Sequence, residues 1–349
     1  MKKKLLSFLK PALLLGVSAF LMWYALKELD FEKMWAEFLH ADYGWVLVSL
    51  VMGVLAYLSR AIRWQMQIKP TGYHPSVRNT YSAMMIGYVA NLVLPRMGEV
   101  VRCSVLRRTD GVPVNTGFGT VIAERIIDMV MLLMAIGLTF LIEFGRIQTF
   151  FLSLVSDKYS NMEQSMSSLY WLFWVLLGLM VMLLVIGLRY LSRLRKNTYF
   201  RKAVDFVKGM LKGVFSITKL ENQTAFWMHT VFVWGLYYGM SLVVFYALPA
   251  TSGLSWGAGL SVLVVGSLGM AAPVQGGIGV YHLLVQATLL LYGVPKEAGM
   301  AYALLAHTSQ TLLVVLMGVL SFMGSMLRKQ RSARLHPSKP RAETHEINR

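Results

Sequence analysis

A chain of 349 residues that is 56% hydrophobic, with a mean hydropathy of +0.54, belongs in a membrane rather than in water. Its net charge of +17, from 34 basic and 17 acidic residues, does not point to nucleic acid. The positive charge sits in short segments between apolar runs, where positive-inside orientation accounts for it. A single cysteine, Cys103, excludes an intrachain disulfide and a multi-cysteine metal site.

Met1-Lys2-Lys3-Lys4 ahead of Leu5–Leu26 has the look of a secretory signal. More apolar runs follow, so an uncleaved first helix is expected. Its spanning part is Pro11–Leu26. Lys27–Asp42 carries two lysines against five acids and is expected outside. Within it Phe31, Met34, Trp35 and Phe38 fall at helical spacing, which predicts an amphipathic helix in the outer interface. Tyr43–Ser59 is the second span. It closes on Arg60, Arg63 and Trp64, read as structural residues that snorkel to the interface.

Thr80–Leu106 is apolar but broken, because Pro95, Arg96, Gly98, Glu99 and Arg102 interrupt it. Proline and glycine unwind a helix, and at membrane depth unwound backbone survives only against protein or a wet cavity. Four arginines in Arg96–Arg108 would be stranded outside if this segment crossed. A re-entrant hairpin from the cytoplasmic side removes the conflict. Phe118–Ile142 is a full span that carries Glu124, Arg125 and Asp128. Leu169–Leu188 is another. Arg189–Glu221 follows with nine basic residues against two acids and is expected inside, with an amphipathic stretch at Lys196–Leu220.

Ala225–Leu248 spans again, and its Gly235-x-x-x-Gly239 reads as close helix packing. Trp256–Tyr292 is the second broken stretch, interrupted at Ala272-Pro273-Val274-Gln275-Gly276-Gly277-Ile278-Gly279. It fits a hairpin entering from the outer side, followed by the span Ala298–Met326. The chain is thus expected to be all-α, a polytopic membrane helix bundle of about six full spans plus two re-entrant helical hairpins. If the broken pieces cross, the count is about eight spans. One transmembrane domain covers 1–328, in inverted halves 5–142 and 169–327. The tail 329–349 is expected to be basic, cytoplasmic and disordered, and both termini to be cytoplasmic.

An ionisable side chain at bilayer depth costs roughly 2.5–3.5 kcal/mol on insertion scales, so such residues imply a task. Arg96, Arg102 and Arg125 balance Glu99, Glu124 and Asp128 in charge. The three-residue spacings let Glu99 and Arg102, and Arg125 and Asp128, share a helix face, and Glu124 and Asp128, four apart, are neighbours on one helix. Guanidinium groups there suit a phosphate headgroup by two-point contact; a static salt-bridge network pinning the hairpin is the other reading. At the second break, Gly276, Gly277 and Gly279 precede a half-helix whose free N–H groups favour an anion. Gln275 and His282 are candidate headgroup contacts. Asn91, Pro95, Gly98 and Pro273 are read as structural.

No metalloprotease, serine-hydrolase, nucleotide or dinucleotide motif is found, so no catalytic residue, metal or cofactor is expected. Lipid translocation is the leading expectation. A membrane subunit of a lipid-modifying aminoacyl- or glycosyl-transferase system, with Glu99 or Asp128 as base, is the alternative.

Arg60-x-x-Arg63-Trp64, Asn91-x-x-x-Pro95-x-x-Gly98-Glu99-x-x-Arg102, Glu124-Arg125-x-x-Asp128 and Pro273-x-x-Gly276-Gly277-x-Gly279 occur in that order. The ordered set resembles the flippase-like membrane region of bacterial lysylphosphatidylglycerol synthases, over roughly residues 10–328. The resemblance implies a bacterial cytoplasmic-membrane protein whose partner is a phospholipid or polyprenyl-phosphate lipid. Full-length members add a soluble aminoacyl-transfer domain, which is not expected here because the chain ends soon after its last span. A separate soluble transferase and a homo-oligomer stay open as partners. Val274-Gln275 departs from the family's frequent Pro-Gly-Gly tip.

Overall fold

A computed structural model describes residues 2–94, 97–145, 182 and 216–335. The described residues form ten α-helices and three short 3-10 turns, and no strand occurs among them. The helices are α1 Lys2–Leu26, α2 Phe31–Leu39, α3 Tyr43–Ile68, α4 Val77–Val93 and α5 Gly98–Asp110. They continue as α6 Val114–Ile142, α7 Gln223–Phe245, α8 Trp256–Ala271, α9 Val280–Leu291 and α10 Lys296–Leu335. Four described helices are long and apolar enough to cross a membrane: Tyr43–Thr71, Val114–Ile142, Gln223–Phe245 and Lys296–Leu327. The protein is a polytopic membrane helix bundle. The expected span Leu169–Leu188 (residue 182 apart), the basic segment as far as 215, Pro95, Arg96 and the tail from 336 lie outside the described residues.

Local chemistry sets the helix starts. Asp30 caps α2, its carboxylate accepting the backbone N–H groups of Glu32 (3.0 Å) and Lys33 (3.3 Å). The Lys33 N–H, foremost among these contacts, holds that carboxyl below its ordinary range. Asp42, Ser76 and Ser255 cap α3, α4 and α8 in the same way. In α2, Met34 is buried in the core while Phe31, Trp35 and Leu39 stay exposed, leaving an apolar face for an interface to cover. The outward faces of α6 (Met129, Leu133, Phe140) and α10 (Leu312, Leu316, Leu320) are likewise apolar, as lipid contact requires.

Two helical hairpins interrupt the bundle. At 1.5 Å per residue α5, α8 and α9 reach only about 20, 24 and 18 Å, and α4 about 26 Å, against a hydrocarbon core of ~30 Å. The breaks fall where the prolines and glycines stand. At the first tip Asn91 Oδ1 accepts the Gly98 N–H at 2.6 Å, satisfying a helix-start amide that would otherwise be orphaned. Gly87 and Gly98 face each other, so the two arms close backbone to backbone. At the second tip Gly276, Gly277 and Gly279 take φ of 56°, 74° and 84°. The tips meet each other: Gln275 Nε2 donates to Val93 O at 3.2 Å.

Two cores flank this junction. One joins α1, α2, α7, α8, α9 and α10 through Met34, Phe245, Val262, Leu289 and Tyr302. The other packs Trp64, Ile68, Ala83, Cys103, Leu106 and Val121 beneath the first hairpin. Of the expected Gly235-x-x-x-Gly239 contact, Gly239 makes a close approach to Met52 of α3, while among the described residues nothing lies within 4 Å of a methyl group added at Gly235.

The closeness of the first hairpin gives a direct expectation. A methyl group on Gly98 would overlap Gly87 O and come within 2.6 Å of the Asn91 side chain. Gly98→Ala is expected to cost about 1–3 kcal/mol, as overpacking of a close contact does. Gly137→Ala in α6, with nothing within 4 Å among the described residues, should be neutral or slightly stabilising. Thermal unfolding of the two variants in one detergent checks the contrast; equal midpoints would refute the packing.

Candidate functional site

Three helices bring their charges to one point beneath the first hairpin. Arg60 and Arg63 lie three apart on α3, one turn of one face; Glu124 and Asp128 lie four apart on α6; Arg102 comes from α5. Glu124 is the hub. Its Oε1 accepts from Arg60 Nη2, from Arg60 Nε at 3.2 Å and from Arg63 Nη2 at 3.3 Å. Its Oε2 accepts from Arg102 Nη1 at 3.0 Å. Asp128 accepts from Arg63 Nη2 at 2.7 Å and from Arg60 Nη2 at 3.2 Å. Glu124 and Arg63 are 0% exposed and Arg102 1%.

Aromatic rings frame the knot. The Arg102 guanidinium lies over the Trp64 ring at 4.7 Å, and that indole donates to Thr120 Oγ1 at 2.9 Å. Arg60 stands 5.8 Å from the Tyr88 ring and donates to the Tyr237 hydroxyl at 2.9 Å. Ionised, the three arginines and two acids carry a net charge of +1. Arg63 Nε and Nη1 and Arg102 Nε and Nη2 make no hydrogen bond among the described residues. These are charge-assisted donors in a buried place, and an anion with several oxygens is their natural partner.

Two expectations need correction. Arg60, Arg63 and Trp64 do not snorkel to an interface: they are buried, and both arginines bind Glu124 and Asp128. The pairings within one helix are replaced by pairings across helices. Glu99 bonds Arg125 at 3.1 Å, and Arg102 turns to Glu124. The Glu99–Arg125 pair is the outer one, with Arg125 45% exposed. Arg96 and Pro95 lie outside the described residues. The i, i+3 spacing of Arg60 and Arg63, matched to Glu124 and Asp128 at i, i+4, was a signal available in the sequence; Tyr237 had none.

The second tip closes over the region from α8 and α9. Gln275 is used on Val93 O, and a methyl group on Gly276 would come within 3.0 Å of Leu92. Gly279 faces α1, where a methyl group would lie 2.6 Å from Leu21 Cβ. His282 caps α9, its Nδ1 accepting the Gly279 N–H at 3.4 Å, and His307 of α10 donates from Nε2 to Gly276 O at 2.7 Å. The two tips are therefore one assembly, with the charge knot against the first arm. An apolar cleft of about 730 Å³ opens between α6, α7 and α8, lined by Met131, Met134, Leu138, Trp234 and Trp256. Met131 is one turn from Asp128 and Trp234 one turn from Tyr237, so the cleft begins beside the charges.

The profile of the family described as "Lysylphosphatidylglycerol synthase TM region" matches residues 12–318. A UPF0104 membrane protein of Methanocaldococcus jannaschii is 24% identical over 127 residues, 36% of this chain and 38% of that one. Glycosyltransferase AglD of Haloferax volcanii is 24% identical over 312 residues, 82% of this chain and 49% of that one. A UPF0104 membrane protein of Pyrococcus horikoshii is 28% identical over 145 residues, covering 40% and 41%. The chain thus spans about half or less of the length of these curated relatives. No solved structure matches it.

Proposed function

The chain belongs to the family of lysylphosphatidylglycerol synthase transmembrane regions, and from that premise we propose that it is a lipid translocase acting on an anionic or phosphate-linked lipid. One observation carries the reading: Arg63 and Arg102, buried in a knot of net charge +1, keep four donor nitrogens with no hydrogen-bond partner among the described residues. A cation held at membrane depth without full compensation is costly, and a transient phosphate offsets the cost. The headgroup takes Arg63 and Arg102, with Glu124 and Asp128 holding the guanidinium forks in place. The cleft beside Asp128 takes the tail. The N-terminal turn of α9 follows Gly276, Gly277 and Gly279 in the tip that meets the first hairpin, and its remaining backbone N–H groups would add to the anion site. Opposed hairpins meeting near a midplane are the arrangement by which inverted-repeat transporters build a site. The cytoplasmic membrane of a bacterium, with both termini inside, is the placement that fits the loop charges.

The test uses purified protein in vesicles of phosphatidylcholine with a trace of tail-labelled phosphatidylglycerol. The labelled lipid is expected to exchange leaflets faster than in protein-free vesicles, and faster than labelled phosphatidylcholine. Equal rates in all three would overturn the reading.

The similarity to a protein named as a glycosyltransferase favours a second reading, a membrane subunit of a lipid-modifying transferase system with a soluble transferase as partner. Under it, the purified protein forms or releases a lipid-linked product when given the transferase's substrates, and leaflet exchange stays at the protein-free rate.

A further inference from the structure

We propose that His307 and His282 form a proton-binding site that couples lipid movement to a proton gradient. The inference rests on the translocase reading above and supplies its driving force. Both imidazoles are buried, His282 in α9 and His307 in α10, with ring centroids 4.8 Å apart and planes at 74°. Each spends one nitrogen on the backbone of the second tip. Gly276 O can only accept, so His307 Nε2 carries a proton in that bond. The Gly279 N–H can only donate, so His282 Nδ1 is unprotonated and the proton of the neutral ring sits on Nε2. That Nε2 is buried and makes no hydrogen bond among the described residues.

The geometry decides where an added proton goes. On His282 it would have to enter at Nδ1, turning an acceptor that faces a backbone N–H into a donor. It would also place a cation at the positive end of α9. On His307 it enters at Nδ1 and leaves the bond to Gly276 O intact. His307 is therefore the proton acceptor, and His282 stays neutral beside it, its Nδ1 still accepting the Gly279 N–H. The titratable groups facing the pair are Tyr281, 5.1 Å from the His307 ring, and beyond it Tyr302, whose hydroxyl donates to Ser241 O. The residues adjoining the tip from α1, α8 and α4 (Leu21 and Met22, Gly266 and Gly269, Leu92) carry no charge. An imidazolium at this place has no carboxylate in that set to neutralise it. An anionic headgroup beside the tip does so instead.

Proton and anionic lipid thus bind together, and by linkage each raises the affinity for the other. Moving together, they carry no net charge when the lipid is a monoanion. With one coupled proton, the rate changes by at most about tenfold per pH unit.

The experiment uses the full chain in the same vesicles of phosphatidylcholine and labelled phosphatidylglycerol, with one side at about pH 6 and the other at about pH 8. Wild-type protein is expected to move the labelled lipid several-fold faster from the acidic side than at equal pH, and more slowly when the gradient is reversed. His307→Gln, whose amide keeps a donor for Gly276 O but does not titrate, is expected to lose the difference between the two gradient directions. Wild-type movement that is faster than in protein-free vesicles but indifferent to the gradient overturns the proton site and leaves the translocase standing. Absence of any movement fells both. A gradient response that survives in folded His307→Gln also overturns the proposal. The wild-type comparison needs no variant, so a misfolded His307→Gln does not remove the test.

Discussion

Glu124→Gln is expected to lower the thermal stability of this protein sharply in mild detergent. Glu124 alone accepts hydrogen bonds from three arginines, and the amide that replaces it offers one oxygen and no charge. Asp128 would then stand against three guanidinium groups, two of them fully buried. Removing one partner from a buried ion pair costs about 3–5 kcal/mol, because the other charge stays where water cannot reach it. The whole stability of a domain is ordinarily about 5–15 kcal/mol, so the loss is a large share of what there is. Glu99→Gln is the matched control. Its partner Arg125 is 45% exposed, so the guanidinium left behind can be solvated and the cost is small. Thermal unfolding and size-exclusion profiles of the two variants make the comparison. Equal midpoints would mean that Glu124 is not the hub.

The bundle and its two breaks were legible because they depend on short-range patterns. Long apolar runs, Gly98 after Pro95, and Gly276-Gly277-x-Gly279 after Pro273 each act on the backbone within a few residues. The breaks between α4 and α5 and between α8 and α9 fall where those residues stand. The acids of α6 were legible as well, since charge inside an apolar run is conspicuous. What the pattern did not disclose was who pairs with whom. Arg60 and Arg63 stand at the end of an apolar run, where arginines commonly reach for headgroups. Only the approach of α6 turns them inward. Arg102 sits on the same helix as Glu99, yet Glu124 of α6 attracts it, and Glu99 is left for Arg125. Gln275 finds Val93 O across 182 positions, and no local rule anticipates a contact between two tips. Tertiary packing decides these partners, and helix-face spacing within one segment does not encode them.

Arg102→Lys is expected to separate a working site from a brace. Lysine keeps the positive charge and a donor for Glu124 Oε2, so the knot retains its charge balance and the hub keeps its partners. It loses the planar fork. The Nε and Nη2 donors that stand unbonded in Arg102 disappear, and with them the two-point contact to a phosphate. The flat stacking on Trp64 at 4.7 Å goes too. If the knot only braces the hairpin, leaflet exchange of labelled phosphatidylglycerol should follow stability and change little. If Arg102 grips the headgroup as the lipid passes, losing one charge-assisted bond of about 1.5–3 kcal/mol slows exchange by about tenfold or more. The thermal midpoint should meanwhile move far less than in Glu124→Gln. Exchange at the wild-type rate in a folded Arg102→Lys protein would reduce the arginines to a strut. A large loss with the fold intact is what a phosphate-binding guanidinium requires, because lysine supplies the same charge and differs only in how it can hold oxygen.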